Sequence, residues 1–186
     1  MTEIQDALVW IDLEMSGLDV RNEHILEIAC IITDGDLNII GKSEDLIIHH
    51  SKEFLDRMND WCKKTHAESG LPQAVLNSTL SMADAESKIL SFIKKHVGQA
   101  GVAVLAGNSI HVDKQFLLKD MPSIPEYLHY RLVDVSTIKE LCKRWFPKEF
   151  NAAPKKCNNH RALADIEESI EELRYYRKSI MKQVQQ

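Results

Sequence analysis

Over the first 49 residues, apolar positions fall into three dense runs separated by short polar turns. Residues 7–15 read as a buried strand, and residues 18–23 as a polar turn. Runs at 25–33 and 37–49 follow, joined by Asp34-Gly35-Asp36, a hairpin signal, so the three predict an antiparallel meander. From Ser51 the period lengthens: Phe54, Leu55, Met58 and Trp61 or Cys62 recur near helical spacing until Ser69-Gly70-Leu71-Pro72 breaks the helix. A second helix starts at Ser81 or Asp84, turns Ile89, Leu90, Phe92, Ile93 and Val97 to a core, and ends at Gly98 and Gly101.

Residues 102–106 are wholly apolar, as in a central strand of a mixed sheet. Gly107-Asn108-Ser109 closes that strand, and a helix over about 112–121 carries Asp113 in its first turn. Pro122 and Pro125 bound a loop. A last strand at 130–135 runs directly into a helix over 136–145. Residues 146–159 show few periodic positions and read as a connection. A long helix over 160–182 then presents Leu163, Ile166, Ile170, Leu173 and Ile180 on one stripe. The order predicts an α/β single domain over residues 1–186, with a mixed five-stranded sheet flanked by helices.

Composition narrows this little: 186 residues with 44% hydrophobic and 27% charged fit one ordinary globular domain. No apolar run approaches the roughly 20 residues that span a bilayer, so no membrane partner is expected. The short acidic start is unlike a presequence, which makes the cytoplasm the expected compartment, with a mitochondrial pool only from a longer precursor. The cysteines at 30, 62, 142 and 157 form no Cys-x-x-Cys pair and read as free thiols. Cys62 with His66, or Cys157 with His160, supplies too few ligands for zinc. The net charge of −5 changes the picture more. It opposes a long polyanion, so a nucleic-acid ligand here is a short one, gripped locally.

Candidate chemistry begins in Val9-Trp10-Ile11-Asp12-Leu13-Glu14-Met15-Ser16-Gly17-Leu18. On a strand Asp12 and Glu14 share a face, and two such anions beside apolar neighbours repel each other and resist desolvation. Mg²⁺ or Mn²⁺ removes the conflict, because both are held by carboxylate oxygens. An edge strand with two solvated acids is the plain alternative. Asp113 after one strand, and Asp165 beside the stripe of the last helix, supply the further acids that a two-metal phosphodiesterase needs. His160 would stand about 140° from Asp165 on a continuous helix, which places it on the preceding segment, as a base that moves in. An imidazole titrates near neutral pH and can take a proton from water.

Four acids and a histidine in this order resemble the DEDDh 3′→5′ exonucleases. Together with Asp60-Trp61, Ser69-Gly70-Leu71, Gly107-Asn108-Ser109 and Tyr130-Arg131-Leu132-Val133-Asp134-Val135-Ser136-Thr137, the chain is similar nearly end to end to the oligoribonucleases. The resemblance implies a ribonuclease H-like fold and a homodimer that cleaves very short RNAs, dinucleotides above all, to 5′-mononucleotides with two divalent metal ions. It implies metal ligation by Asp12, Glu14, Asp113 and Asp165, and general-base work by His160. Leu18 and Trp61 would stack on bases. Ser109, Arg131, Ser136 and Thr137 would cap the substrate's 5′ phosphate, and Tyr130 would reach the partner protomer's site. Each has a plainer reading: Trp61 as core, Arg131 as a solvated charge, Ser136 or Thr137 as helix N-caps. Asp134 has no assignment at this point. The competing functions are a longer-substrate nuclease of the same superfamily, which the acidic charge opposes, and a non-catalytic binding module, which five occupied catalytic positions oppose.

Overall fold

The computed structural model describes residues 6–154 and 161–182. Its first strands are β1 (Leu8–Met15), β2 (Ile25–Thr33), β3 (Ile39–Lys42) and β4 (Leu46–Ile47). Helices α1 (Lys52–Leu55), α2 (Asp60–Ser69), α3 (Leu71–Asn77) and α4 (Met82–His96) follow, then β5 (Val104–Gly107). After that come α5 (Ile110–Asp120), α6 (Ser123–Tyr127), β6 (His129–Asp134), α7 (Val135–Trp145), α8 (Pro147–Ala152) and α9 (Ala162–Ser179).

The sheet runs β3-β2-β1-β5-β6, with β4 also pairing β2. The meander is present: β2 pairs antiparallel with both β1 and β3. Strands β1, β5 and β6 are mutually parallel, so Met15, Gly107 and Asp134 all end at one edge. In open α/β sheets the carboxyl ends of the strands are where ligands bind.

Alternation along β1 divides the core into two layers. Val9, Ile11 and Leu13 pack with Ile89, Ile93 and Phe116 of α4 and α5. Trp10, the residue two before Asp12, packs on the opposite face with Val135, Ile166, Ile170 and Tyr176 of α7 and α9. Asp12 and Glu14 thus point toward α9. Strand β2 is buried at all nine positions, Glu27 included.

Several elements differ from the sequence expectation, each for a local reason. The 37–49 run splits into β3 and β4, giving six strands instead of five, because polar Ser43, Glu44 and Asp45 interrupt it; Ser43 instead bonds to Cys30 through backbone and hydroxyl. The helix expected through Trp61 breaks after Leu55, because the Asn59 side chain accepts from Cys62 N–H and caps a new helix. Gly70, left-handed at φ 72°, ends α2 and at once begins α3, a helix the apolar pattern alone did not disclose. Short helices α6 and α8 occupy stretches read as loops, Pro147 fitting the first turn of α8. Asp134, not Ser136 or Thr137, N-caps α7, accepting from Ser136 N–H.

Candidate active site

Asp12, Glu14 and Asp165 converge where β1 meets α9. One carboxylate oxygen from each lies within 4.8 Å of the other two. Strand periodicity places the first two. The third is placed by the apolar stripe Ala162, Ile166, Ile170 and Leu173, which docks α9 with Asp165 at its sheet-facing edge. A register shift between Glu14 and Met15 bends β1 just beyond the acids, as bulges beside functional sites do.

Burial sets the electrostatics. The Glu14 carboxyl is pushed up to about 8, first by desolvation and then by Asp165, Glu27 and Asp113 around it, with Arg161 opposing. Below that pH the proton relieves the crowding; a divalent cation bound by oxygen would relieve it by taking the proton's place as pH rises. The donor set therefore fits Mg²⁺ or Mn²⁺. Asp113, buried on the first turn of α5, is held up to about 7 by desolvation. It is not brought into the three-acid group. Its Oδ1 accepts from Leu13 N–H at 3.1 Å, between the two acids of β1.

Three neighbours escaped the sequence reading. Glu27 stands opposite Glu14 in the β1–β2 register and ion-pairs through Oε1 with Arg161 Nε at 3.1 Å. Arg161 Nη2 also approaches Asp45 at 3.8 Å. His66 of α2 is buried, with Nε2 on the Met15 carbonyl at 2.9 Å and Nδ1 facing Glu14 Oε2 at 3.7 Å. An acid inside an otherwise apolar run was the signal for Glu27; His66 was weighed only with Cys62 as an insufficient zinc pair, and Arg161 carried no signal.

Beside Glu14 opens a cavity of about 510 Å³ whose rim includes Leu18 and Trp61. Leu18 is 76% and Trp61 66% exposed, so the core reading of Trp61 does not hold. The Leu18 turn is braced by hydrogen bonds: buried Ser16 donates to Glu23 at 2.5 Å and accepts from His24 N–H. A side chain at Gly17 would meet Glu23 at 2.9 Å.

At the ends of β5 and β6, Ser109 and Ser136 bring their hydroxyls to 3.1 Å. Ser109 takes a left-handed φ of 51°, unusual for a non-glycine residue, with its N–H donating to Asp134 Oδ1 and Ser136 Oγ. Arg131 is exposed, its guanidinium 5.6 Å over the Tyr130 ring instead of closing on the two serines. Tyr130 is 73% exposed on the edge strand β6, and Thr137 is exposed on α7. His160 lies outside the described residues.

Acids gathered at the carboxyl end of a mixed sheet, beside a cavity rimmed by Trp61, are the kind of arrangement a metal-dependent nuclease uses. Residues 9–173 match the RNase T exonuclease family model. The mitochondrial oligoribonuclease of Bos taurus is 53% identical over 175 residues, covering 94% of this chain and 73% of the bovine protein. The oligoribonuclease of Arabidopsis thaliana is 52% identical over 180 residues, covering 97% and 81%. That of Cutibacterium acnes is 52% identical over 174 residues, covering 94% and 86%. Among solved structures, zinc-bound E. coli exonuclease I with single-stranded DNA superposes at TM-score 0.73 and 15% identity, over 95% of this chain. The chain spans 41% of that larger enzyme, a likeness of fold. The chain belongs to the oligoribonuclease family of RNase T-type exonucleases.

Proposed function

We propose that this metal-dependent 3′→5′ exoribonuclease of short oligoribonucleotides takes dinucleotides above all, releasing 5′-mononucleotides, and works as a single-domain protomer within a homodimer. The observation that carries the reading is the three-acid cluster of Asp12, Glu14 and Asp165 opening through Glu14 into the cavity rimmed by Leu18 and Trp61.

In this reading Asp12, Glu14 and Asp165 hold two divalent ions, Mg²⁺ or Mn²⁺, and Asp113 completes the set with the carboxylate oxygen not engaged by Leu13. When bound, the ions lower the pKa of a water and neutralise charge on the phosphoryl oxygens and the leaving alkoxide. Leu18 and Trp61 sandwich bases without reading them, which suits a substrate of any sequence. His160 serves as general base, drawing the proton from the attacking water.

Ser109, Ser136, Thr137 and Arg131 cap the 5′ phosphate and thereby limit length, since a longer strand would run into them. The Arg131 guanidinium lies over the exposed Tyr130 ring, and a guanidinium is well suited to binding a phosphate at two points. The exposed Tyr130 on an unpaired sheet edge favours a second copy of the chain across β6, where Tyr130 would enter the partner's site. The buried free thiols of Cys30, Cys62 and Cys142 favour a reducing compartment, with the cytoplasm as the working assignment and a mitochondrial pool suggested by the bovine relative's name.

The test is hydrolysis of 5′-labelled RNAs from dinucleotide to decanucleotide, with Mg²⁺, Mn²⁺ or chelator. A dinucleotide cut fastest, and stopped by chelator, is the expected result. Rates that rise with length would replace the capped site with a trimming nuclease.

A further inference from the structure

Beyond the acidic cluster a second polar network joins α7 to α9, and neither metal binding nor base stacking accounts for it. Ser136 Oγ donates to Asn108 Oδ1 at 3.0 Å and accepts from Ser109 N–H. Asn108 Nδ2 donates to Ser169 Oγ at 2.7 Å and reaches Glu172 Oε2 at 3.3 Å. Ser169 Oγ donates in turn to the main-chain carbonyl of Asp165 at 2.8 Å. Because Glu172 offers only acceptors, the amide has one orientation: Nδ2 toward α9, Oδ1 toward α7.

Ser169 and Glu172 are buried, and Glu172 also binds Lys139 Nζ of α7 at 3.2 Å and the Tyr176 hydroxyl at 3.3 Å. Polar groups in a core layer are tolerated only when satisfied. Asn108 reaches both from a single side chain, bonding Ser169 Oγ and the Glu172 oxygen Oε2. Its two ends meet different machinery. One sets the hydroxyl of Ser136: its one proton is committed to Asn108, so Ser109 is the donor in the 3.1 Å contact between the two hydroxyls. The other pins the turn of α9 on which the Asp165 carboxylate stands.

We propose that Asn108 is a positioning residue that ties the Ser109–Ser136 pair to the helix bearing Asp165, so that 5′-phosphate recognition and metal-ion catalysis share one hydrogen-bonded frame. The proposal rests on the phosphate-cap reading given above. Asn108 touches neither substrate nor metal in this scheme; it acts through Ser136 on one side and through Ser169 on the other.

The experiment compares 5′-phosphorylated with unphosphorylated dinucleotides, at saturating Mg²⁺, on the full chain and on Asn108→Ala and Ser169→Ala. Melting curves and Mn²⁺ titrations accompany the kinetics. Asn108→Ala is expected to reduce the phosphate preference in kcat/KM roughly tenfold and to lower kcat on both substrates by a similar factor, the scale typical of groups that orient ligands. Ser169→Ala removes the shorter of the two α9 contacts of Asn108 and leaves its bond to Ser136, so kcat falls on both substrates while the phosphate preference stays. A role confined to stability would lower the melting temperature and leave that preference intact in the folded enzyme.

A folded Asn108→Ala enzyme with unchanged preference overturns the proposal while the cap stands. If Asn108→Ala does not fold, an unchanged kcat in Ser169→Ala overturns it instead. A wild-type enzyme indifferent to the phosphate removes the cap itself, and the proposal with it.

Discussion

Glu14 and Glu27 face each other across β1 and β2, two carboxylates paired in register inside the sheet. Like charges directly opposite destabilise a sheet, and Glu27 is fully buried (0% exposed), its carboxyl pushed up to about 7, mainly by desolvation. Arg161, at the N-cap of α9, resolves the conflict by taking Glu27 and leaving Glu14 to the cluster. Arg161→Ala would leave Glu27 buried without its cation. We expect a loss on the order of 2 kcal/mol, below the roughly 3–5 of a fully buried pair because Arg161 is 38% exposed. Denaturant unfolding measures it, and adding Glu27→Gln should restore much of the loss.

In the proposed site Asp113 would add metal binding to its observed bond with Leu13, and different substitutions separate the two. Asp113→Asn keeps an acceptor for Leu13 N–H but loses the charge; it should melt near the wild type and lose turnover by about 100-fold. Asp113→Ala also orphans a buried N–H, so about 1–3 kcal/mol of stability should go as well. Turnover by Asp113→Asn within a few-fold of wild type would take Asp113 out of the metal set.

The raised Glu14 carboxyl gives the metal-free chain a defined pH response. Its folded pKa, about 8, exceeds the ordinary value of 4.5, so the native state binds more protons than the unfolded one across that window. Stability therefore falls as pH rises from about 4.5 to 8. Asp113, raised from 3.8 to about 7, acts in the same direction. Thermal melts in chelator should show the decline, and Mn²⁺ or Mg²⁺ should raise the melting temperature more at pH 8 than at pH 5. A metal-induced shift independent of pH would mean that these carboxyls do not bind it.

Trp61 is exposed beside the cavity and adds little to the core, so its proposed stacking role can be tested apart from stability. Trp61→Ala should raise KM by the equivalent of about 1–3 kcal/mol while leaving the melting temperature nearly unchanged. Quenching of indole fluorescence by a dinucleotide in chelator, lost in the variant, checks the contact directly.

Periodicity disclosed the elements and the placing of the acids, while the roles given to them came from the family resemblance. Asp12 and Glu14 were legible as a pair because strand alternation leaves them one face, and Asp165 because the α9 stripe indexes its neighbours. The meander and the parallel β5 came from runs of apolar residues in the same way. Breaks in the pattern hid whatever side chains decided one at a time. Asn59 restarts a helix and Asp134 caps another, and neither changes the hydrophobic period. Asn108 read as part of a turn; its partners Ser169 and Glu172 lie 61 and 64 residues away. Asp113 was placed on its helix correctly, yet its bond to Leu13 spans 100 residues and leaves no local trace.

The acids come from opposite ends of the chain: two from the first strand, one from the last described helix. During synthesis β1 leaves the ribosome long before α9, whose apolar stripe completes the layer over Trp10, Ala29 and Ile31. A nascent chain therefore carries two of the three clustered acids and lacks the third. The three-acid cluster is thus assembled only when the closing of the core brings the last described helix onto the first strand.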